Sequence, residues 1–221
     1  MQAIMEPIFH ISYLISVIFI GFTMIKKSNG NAYYKWFGIM AVILGFGDAF
    51  HLIPRIIALQ TTGFESHVVS LGFGKFITSI TMTIFYLILY YLWKMRFKIT
   101  NVSKLDVVMW SLAIVRIVLC FFPQNEWFIS DSSITWAIIR NIPFAIMGIL
   151  MIILLYRSGI EHNDRNAKKM AIAVILSFAF YIPVVLWARV HFLIGMLMIP
   201  KTLAYLWIVF IGFKEFRKSL K

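Results

Sequence analysis

Seven long apolar runs, separated by short polar links, dominate the chain. They lie at about Pro7–Ile25, Trp36–Ile57, Leu71–Trp93, Leu105–Phe122, Ile134–Tyr156, Ala167–Trp187 and His191–Phe213. Crossing the hydrocarbon core of a bilayer takes roughly 20 apolar residues of helix, so each run is long enough for one span. The third, sixth and seventh runs are interrupted by polar residues, and almost no loop separates the last two, which predicts a tight antiparallel hairpin. The pattern predicts an all-α, polytopic integral membrane protein: one seven-helix transmembrane domain over residues 1–221. Glu6 and the lack of Lys or Arg ahead of the first run argue against a cleaved signal peptide, so that run is expected to persist as helix 1.

Composition agrees with the pattern. The chain is 61% hydrophobic and only 14% charged, an apolar share that a soluble domain of this length has no interior volume to hide. A bilayer removes the difficulty, because there the outer surface is apolar as well.

The net charge of +12 would suggest a nucleic-acid partner in a soluble protein. Here its distribution reads as topology instead, and no nucleic-acid partner is expected. The links after helices 1, 3 and 5 and the C-terminal tail hold Lys26, Lys27, Lys35, Lys94, Arg96, Lys98, Lys104, Arg157, Arg165, Lys168, Lys169, Lys214, Arg217, Lys218 and Lys221. The opposite links hold Arg189 with Glu65, Glu126 and Asp131. The positive-inside rule then places the N-terminus outside and the C-terminus in the cytoplasm. Small size and short loops fit the cytoplasmic membrane of a bacterium. Cys120 is the single cysteine, which excludes an intrachain disulfide, and its apolar neighbours predict a packed thiol.

Five basic residues remain inside the apolar runs: Arg55, Lys75, Arg116, Arg140 and Lys201. A charge near the bilayer centre costs at least ~2.5–3.5 kcal/mol, so it normally faces the bundle interior and a partner. At ~1.5 Å per residue, Arg116 and Arg140 lie roughly 9 Å and Asp48 and Lys201 roughly 15 Å from the outer helix ends. All six residues fall in the outer half of the predicted membrane. Asp48, His51 and Arg55 share one face of helix 2, and Glu6, His10 and Tyr13 one face of helix 1. Lys75, Ser79 and Tyr86 form a polar stripe on helix 3, while Asn141, Tyr181 and Tyr205 offer polar groups on helices 5, 6 and 7. This set predicts an outward-facing pocket with more cations than anions, suited to a small anionic or amphiphilic ligand that is bound, transported or sensed. Structural ion pairing of Asp48 with Lys201 or Arg116, and snorkelling of Arg55 and Lys75 to the interface, are the competing structural roles.

Two further chemistries are open at this level. His10, Asp48 and His51 are a candidate zinc-binding trio, which would make the protein a metal-dependent hydrolase of lipid-type substrates. His191 lies toward the same side, and Pro54 is expected to kink or end helix 2. The run Phe180-Tyr181-Ile182-Pro183-Val184-Val185-Leu186-Trp187, followed by Lys201 on helix 7, resembles the last two helices of the microbial rhodopsins. That resemblance implies retinal as a Schiff base on Lys201 with Asp48 as counterion. The chain departs from the family in having no carboxylate on helix 3 and Pro200 directly before Lys201.

Overall fold

The computed structural model describes residues 2–101, 103–130, 132–188 and 192–220. Seven α-helices follow one another: α1 (Gln2–Lys26), α2 (Ala32–Gln60), α3 (Val68–Phe97), α4 (Ser103–Cys120), α5 (Ile134–Glu161), α6 (Arg165–Trp187) and α7 (Met198–Ser219). No strand occurs among the described residues. Six of the helices are long and apolar enough to cross a membrane, which makes this a membrane protein. The exception is α4, whose 18 residues include Lys104, Asp106 and Arg116. The sequence pattern counts it as a span with the rest; by length and charge it falls short of the other six.

Each helix packs on its chain neighbours, and α7 returns to touch α1 and α2, closing a ring, while α3 also reaches α5. The core runs between them through Phe37, Leu44, Phe85, Tyr86, Phe144, Met147, Val174 and Ile208, all buried. Large apolar side chains such as Ile15, Phe19, Trp110, Ile149 and Ile153 point outward and are exposed. An apolar exterior around an apolar core is the arrangement a lipid solvent requires. Small residues set the closest approaches: a Cβ on Gly38 would lie 2.7 Å from the Gly21 carbonyl oxygen, so α1 and α2 meet backbone to backbone there.

The links are chemically specified. Asn31 caps α2 by accepting from the Tyr34 N–H at 3.4 Å. Asp164 caps α6, accepting from Asn166 and Ala167 N–H at 2.9 and 3.0 Å. Of the two outcomes expected at Pro54, the helix end is not found: α2 continues to Gln60, and Pro7, Pro143 and Pro183 likewise sit inside their helices. The link from α6 to α7 is not a bare hairpin turn, because a 3-10 segment, Phe192–Leu197, precedes α7. Lys201 is consequently only the fourth residue of α7 rather than about ten residues along it. Arg189, Asp131 and His191 lie outside the described residues.

A second polar cluster sits at the end of the bundle where the basic links converge. Arg96 donates to Asp164 at 2.6 Å, to the Tyr33 hydroxyl at 2.8 Å and to both oxygens of Glu215 at 2.8 and 2.6 Å. Asn166 donates to Glu215 at 2.6 Å. One arginine thus ties α2, α3, α7 and the start of α6. On the adjoining face, Lys94 and Tyr90 both donate to Asp106 at 2.8 Å.

Candidate functional site: a cationic cavity

A cavity of about 480 Å³ opens at the opposite end of the bundle, within the size range of small-molecule sites. The ends of α2, α4 and α6, the starts of α3, α5 and α7, and the links between them wall it. Eight of the ten candidate ligand-binding residues line it: His51, Arg55, Lys75, Arg116, Arg140, Asn141, Tyr181 and Lys201. Asp48 and Tyr205 do not. Asp48 accepts a hydrogen bond from the Tyr13 hydroxyl at 2.7 Å, and Tyr205 is buried behind the cavity with its hydroxyl 3.3 Å from that of Tyr86.

The cations fall into two groups. Toward the mouth, Arg55 donates to Glu6 and lies 5.2 Å from the Phe64 ring centre, while His10 Nε2 is 3.3 Å from the same Glu6 oxygen. Arg140 donates to Asn125 at 2.9 Å and stacks 4.2 Å from the Trp127 ring centre. Asn125 is held in turn by donating to the Leu119 and Phe122 carbonyls at 2.6 and 2.8 Å. Lys75 lines the wall and is exposed.

Farther in, the environment changes. Arg116 is 2% exposed, and its guanidinium carbon lies 3.5 Å from the Phe144 ring centre. Its Nε and Nη1 have no hydrogen-bond partner among the described residues. Lys201 is 6% exposed, with Nζ 4.7 and 5.7 Å from the ring centres of Tyr181 and Tyr205, and it forms no ion pair among the described residues. His51 adds a buried, unpartnered Nδ1. Aromatic faces attract a cation by ~2 kcal/mol or more when desolvated, well short of what full desolvation of a charge costs. An anion in the cavity would complete the balance.

The structural ion pair expected of Asp48 is absent: the described residues include none between Asp48 and either Lys201 or Arg116. Asp48 also belongs to the two other chemistries that the sequence leaves open. Among the described residues, no group of three or more His, Cys, Asp and Glu side chains is placed to hold a metal ion. The trio His10, Asp48 and His51 is divided, because His10 turns to Glu6 and Asp48 to Tyr13. Asp48 forms no ion pair with Lys201 among the described residues, and Lys201 is the fourth residue of α7.

Sequence reasoning missed Phe144 and Trp127, the rings beneath Arg116 and Arg140. Phe144 stands four residues after Arg140 and so shares its helix face, a signal open to a closer reading. It also missed Asn125, which reaches Arg140 from a link whose path is not encoded locally. No family model, no curated protein and no solved structure matches this chain.

Proposed function

We propose that this protein binds a small anionic or amphiphilic ligand in the cationic cavity, as a transporter or receptor of the cytoplasmic membrane. The cavity would face outward, with the N-terminus outside and the C-terminus in the cytoplasm. Support for that orientation comes from the charge pattern: the cavity end carries the acidic links, and the Arg96 end gathers the basic ones. The observation that carries the reading is that Arg116 and Lys201, both buried and neither paired with a carboxylate of the described residues, wall one cavity. Unpaired buried charge is costly unless something else supplies the partner. Phe64, Val68, Leu71, Val184, Val185 and Met198 provide the apolar contact that an amphiphile needs.

Native mass spectrometry of the protein in a mild detergent tests the reading. A co-purified anion lost from an Arg116→Gln, Arg140→Gln double variant is expected. Undiminished binding in a folded double variant would refute it. Flux of the identified anion into proteoliposomes separates a transporter from a receptor.

A further inference from the structure

Resting on that reading of the cavity, we infer that its ligand carries a polyatomic oxyanion head, with two or more oxygens on one central atom, and that Arg116, held flat on Phe144, selects this head over a monatomic anion. The guanidinium carbon lies 3.5 Å from the ring centre, the contact thickness of two π systems. Only a face-to-face stack fits that spacing, since an edge-on guanidinium would drive a nitrogen into the ring. Stacked flat, the five N–H groups spread in a plane parallel to the ring, and none is spent on its face. Each two-donor edge of a guanidinium includes Nε or Nη1, and both of these nitrogens lack a partner among the described residues. None of those residues therefore grips either edge with two acceptors. Phe144 fixes the orientation from behind: it is buried and packs at 4.9 and 5.2 Å on Tyr86 and Phe178. The fork is set in advance and open, which a bidentate oxyanion exploits and a halide does not.

The other charges of the cavity act differently. Lys201 stands on the neighbouring ring of the same aromatic cluster: its Nζ is 4.7 Å from the Tyr181 centre, and Tyr181 is 6.1 Å from Phe144. An ammonium is a compact charge with rotatable donors, so it adds attraction without imposing a shape. The mouth carries Arg55, Lys75 and Arg140 together with Glu65. Arg55 donates to Glu6 and Arg140 to Asn125, so part of their donor capacity is used within the protein. The summed field of the mouth acts on an anion by its charge, whatever its shape. Two anions of equal charge feel that field alike, and a preference between them comes from donor geometry.

The test uses the full chain in nanodiscs of zwitterionic lipid at about pH 7.5, with ionic strength held constant by sodium fluoride. Sodium nitrate and sodium bromide are the first probes, because the two anions match in charge and are similar in size and lyotropic strength but differ in shape. Thermal unfolding against probe concentration gives an apparent affinity, since a ligand of the folded state stabilises it by mass action. Nitrate should stabilise saturably, with an apparent affinity about tenfold or more tighter than that of bromide. Arg116→Lys keeps the charge and removes the fork, so the preference should fall below about threefold. Phe144→Leu keeps the arginine and removes its seat, and should also shrink the preference. Bromide binding as tightly as nitrate to the unaltered protein would overturn the oxyanion assignment and leave the anion cavity standing. A full preference surviving in Arg116→Lys would overturn the role of Arg116. Acetate and hexanoate distinguish the source of the head: equal affinity points to a small soluble anion, and a gain of about tenfold for hexanoate points to an amphiphile. Either result supports the fork when Arg116→Lys weakens both. No saturable stabilisation by any of the four anions would overturn the cavity reading itself. The nitrate and bromide comparison on the unaltered protein decides the anion class even if a variant does not fold.

Discussion

The guanidinium of Arg116 lies 3.5 Å from the centre of the Phe144 ring, and Phe144 is packed in turn against Tyr86, Phe178 and Tyr181. An arginine seated on an aromatic cluster, with two nitrogens unpartnered, gains less from the ring than it loses by leaving water. It therefore lowers the stability of the empty protein.

That balance has a sign that can be measured. Arg116→Met removes the buried charge and keeps much of the volume, so it should raise the stability of the ligand-free protein by about 1 kcal/mol or more. Thermal unfolding in detergent reads the shift. A loss of stability of similar size would mean that Arg116 has a structural partner and serves packing alone.

The ring itself is under a different constraint. Phe144→Ala should destabilise by about 3–5 kcal/mol, because it empties a site at the junction of three other rings. Phe144→Leu should cost less and still weaken ligand binding, since the seat of Arg116 is lost. Paired unfolding and binding curves separate the two effects, and unchanged binding in the leucine variant would contradict the seat.

At the other end, Arg96→Gln leaves Asp164 and Glu215 without their shared cation. Breaking a buried pair costs about 3–5 kcal/mol, and partial exposure of these side chains reduces that to about 2–3 kcal/mol. Denaturant titration checks the figure. A change below about 0.5 kcal/mol would show that the network holds the four elements together only weakly.

Acid should act through Asp164. Burial works against its ionisation, but the Arg96 hydrogen bond and the N–H groups of Ala167 and Asn166 outweigh it and hold the carboxyl below the usual carboxylate range. The folded-state pKa is therefore lower than the unfolded value of ~3.9, so its contribution is complete above about pH 4 and fades as pH falls through the folded-state pKa. Unfolding of the unaltered protein and of Asp164→Asn across pH 2–6 should converge at the acid end. Parallel curves would exclude this linkage.

A steric prediction concerns the wall of the cavity. A Cβ at Gly74 would fall 2.6 Å from His51 Cα and still nearer the Phe50 carbonyl, both backbone. Gly74→Ala must push α2 from α3, at a cost of about 1–3 kcal/mol, and shift His51 at the cavity wall. Wild-type stability in this variant would show that the two helices separate freely.

Much of this protein follows from the chain as a linear pattern. Runs of about 20 apolar residues have one economical solution in lipid, a helix with every backbone group satisfied, and the runs accordingly became long helices. Because charge is expensive inside those runs, the few residues that break the pattern were also readable, and eight of the ten chosen from it line one cavity. What local pattern does not encode is which side chain meets which. Asp48 shares a helix face with His51 and Arg55, yet its carboxylate is taken by Tyr13 from α1, 35 residues away. The census that placed Arg96 among topological charges gave no hint that it would gather Asp164 and Glu215, because those partners come from sequence separations of 68 and 119 residues. The length of the α6–α7 link escapes local pattern for the same reason: an apolar 3-10 segment has the composition of a helix start, and only packing distinguishes them. The chain by itself determined the lipid solvent, the long helices and the costly residues. The tertiary structure alone decided which charges were paired and which, like Arg116 and Lys201, were left facing a cavity, because pairing depends on contacts between helices distant in sequence.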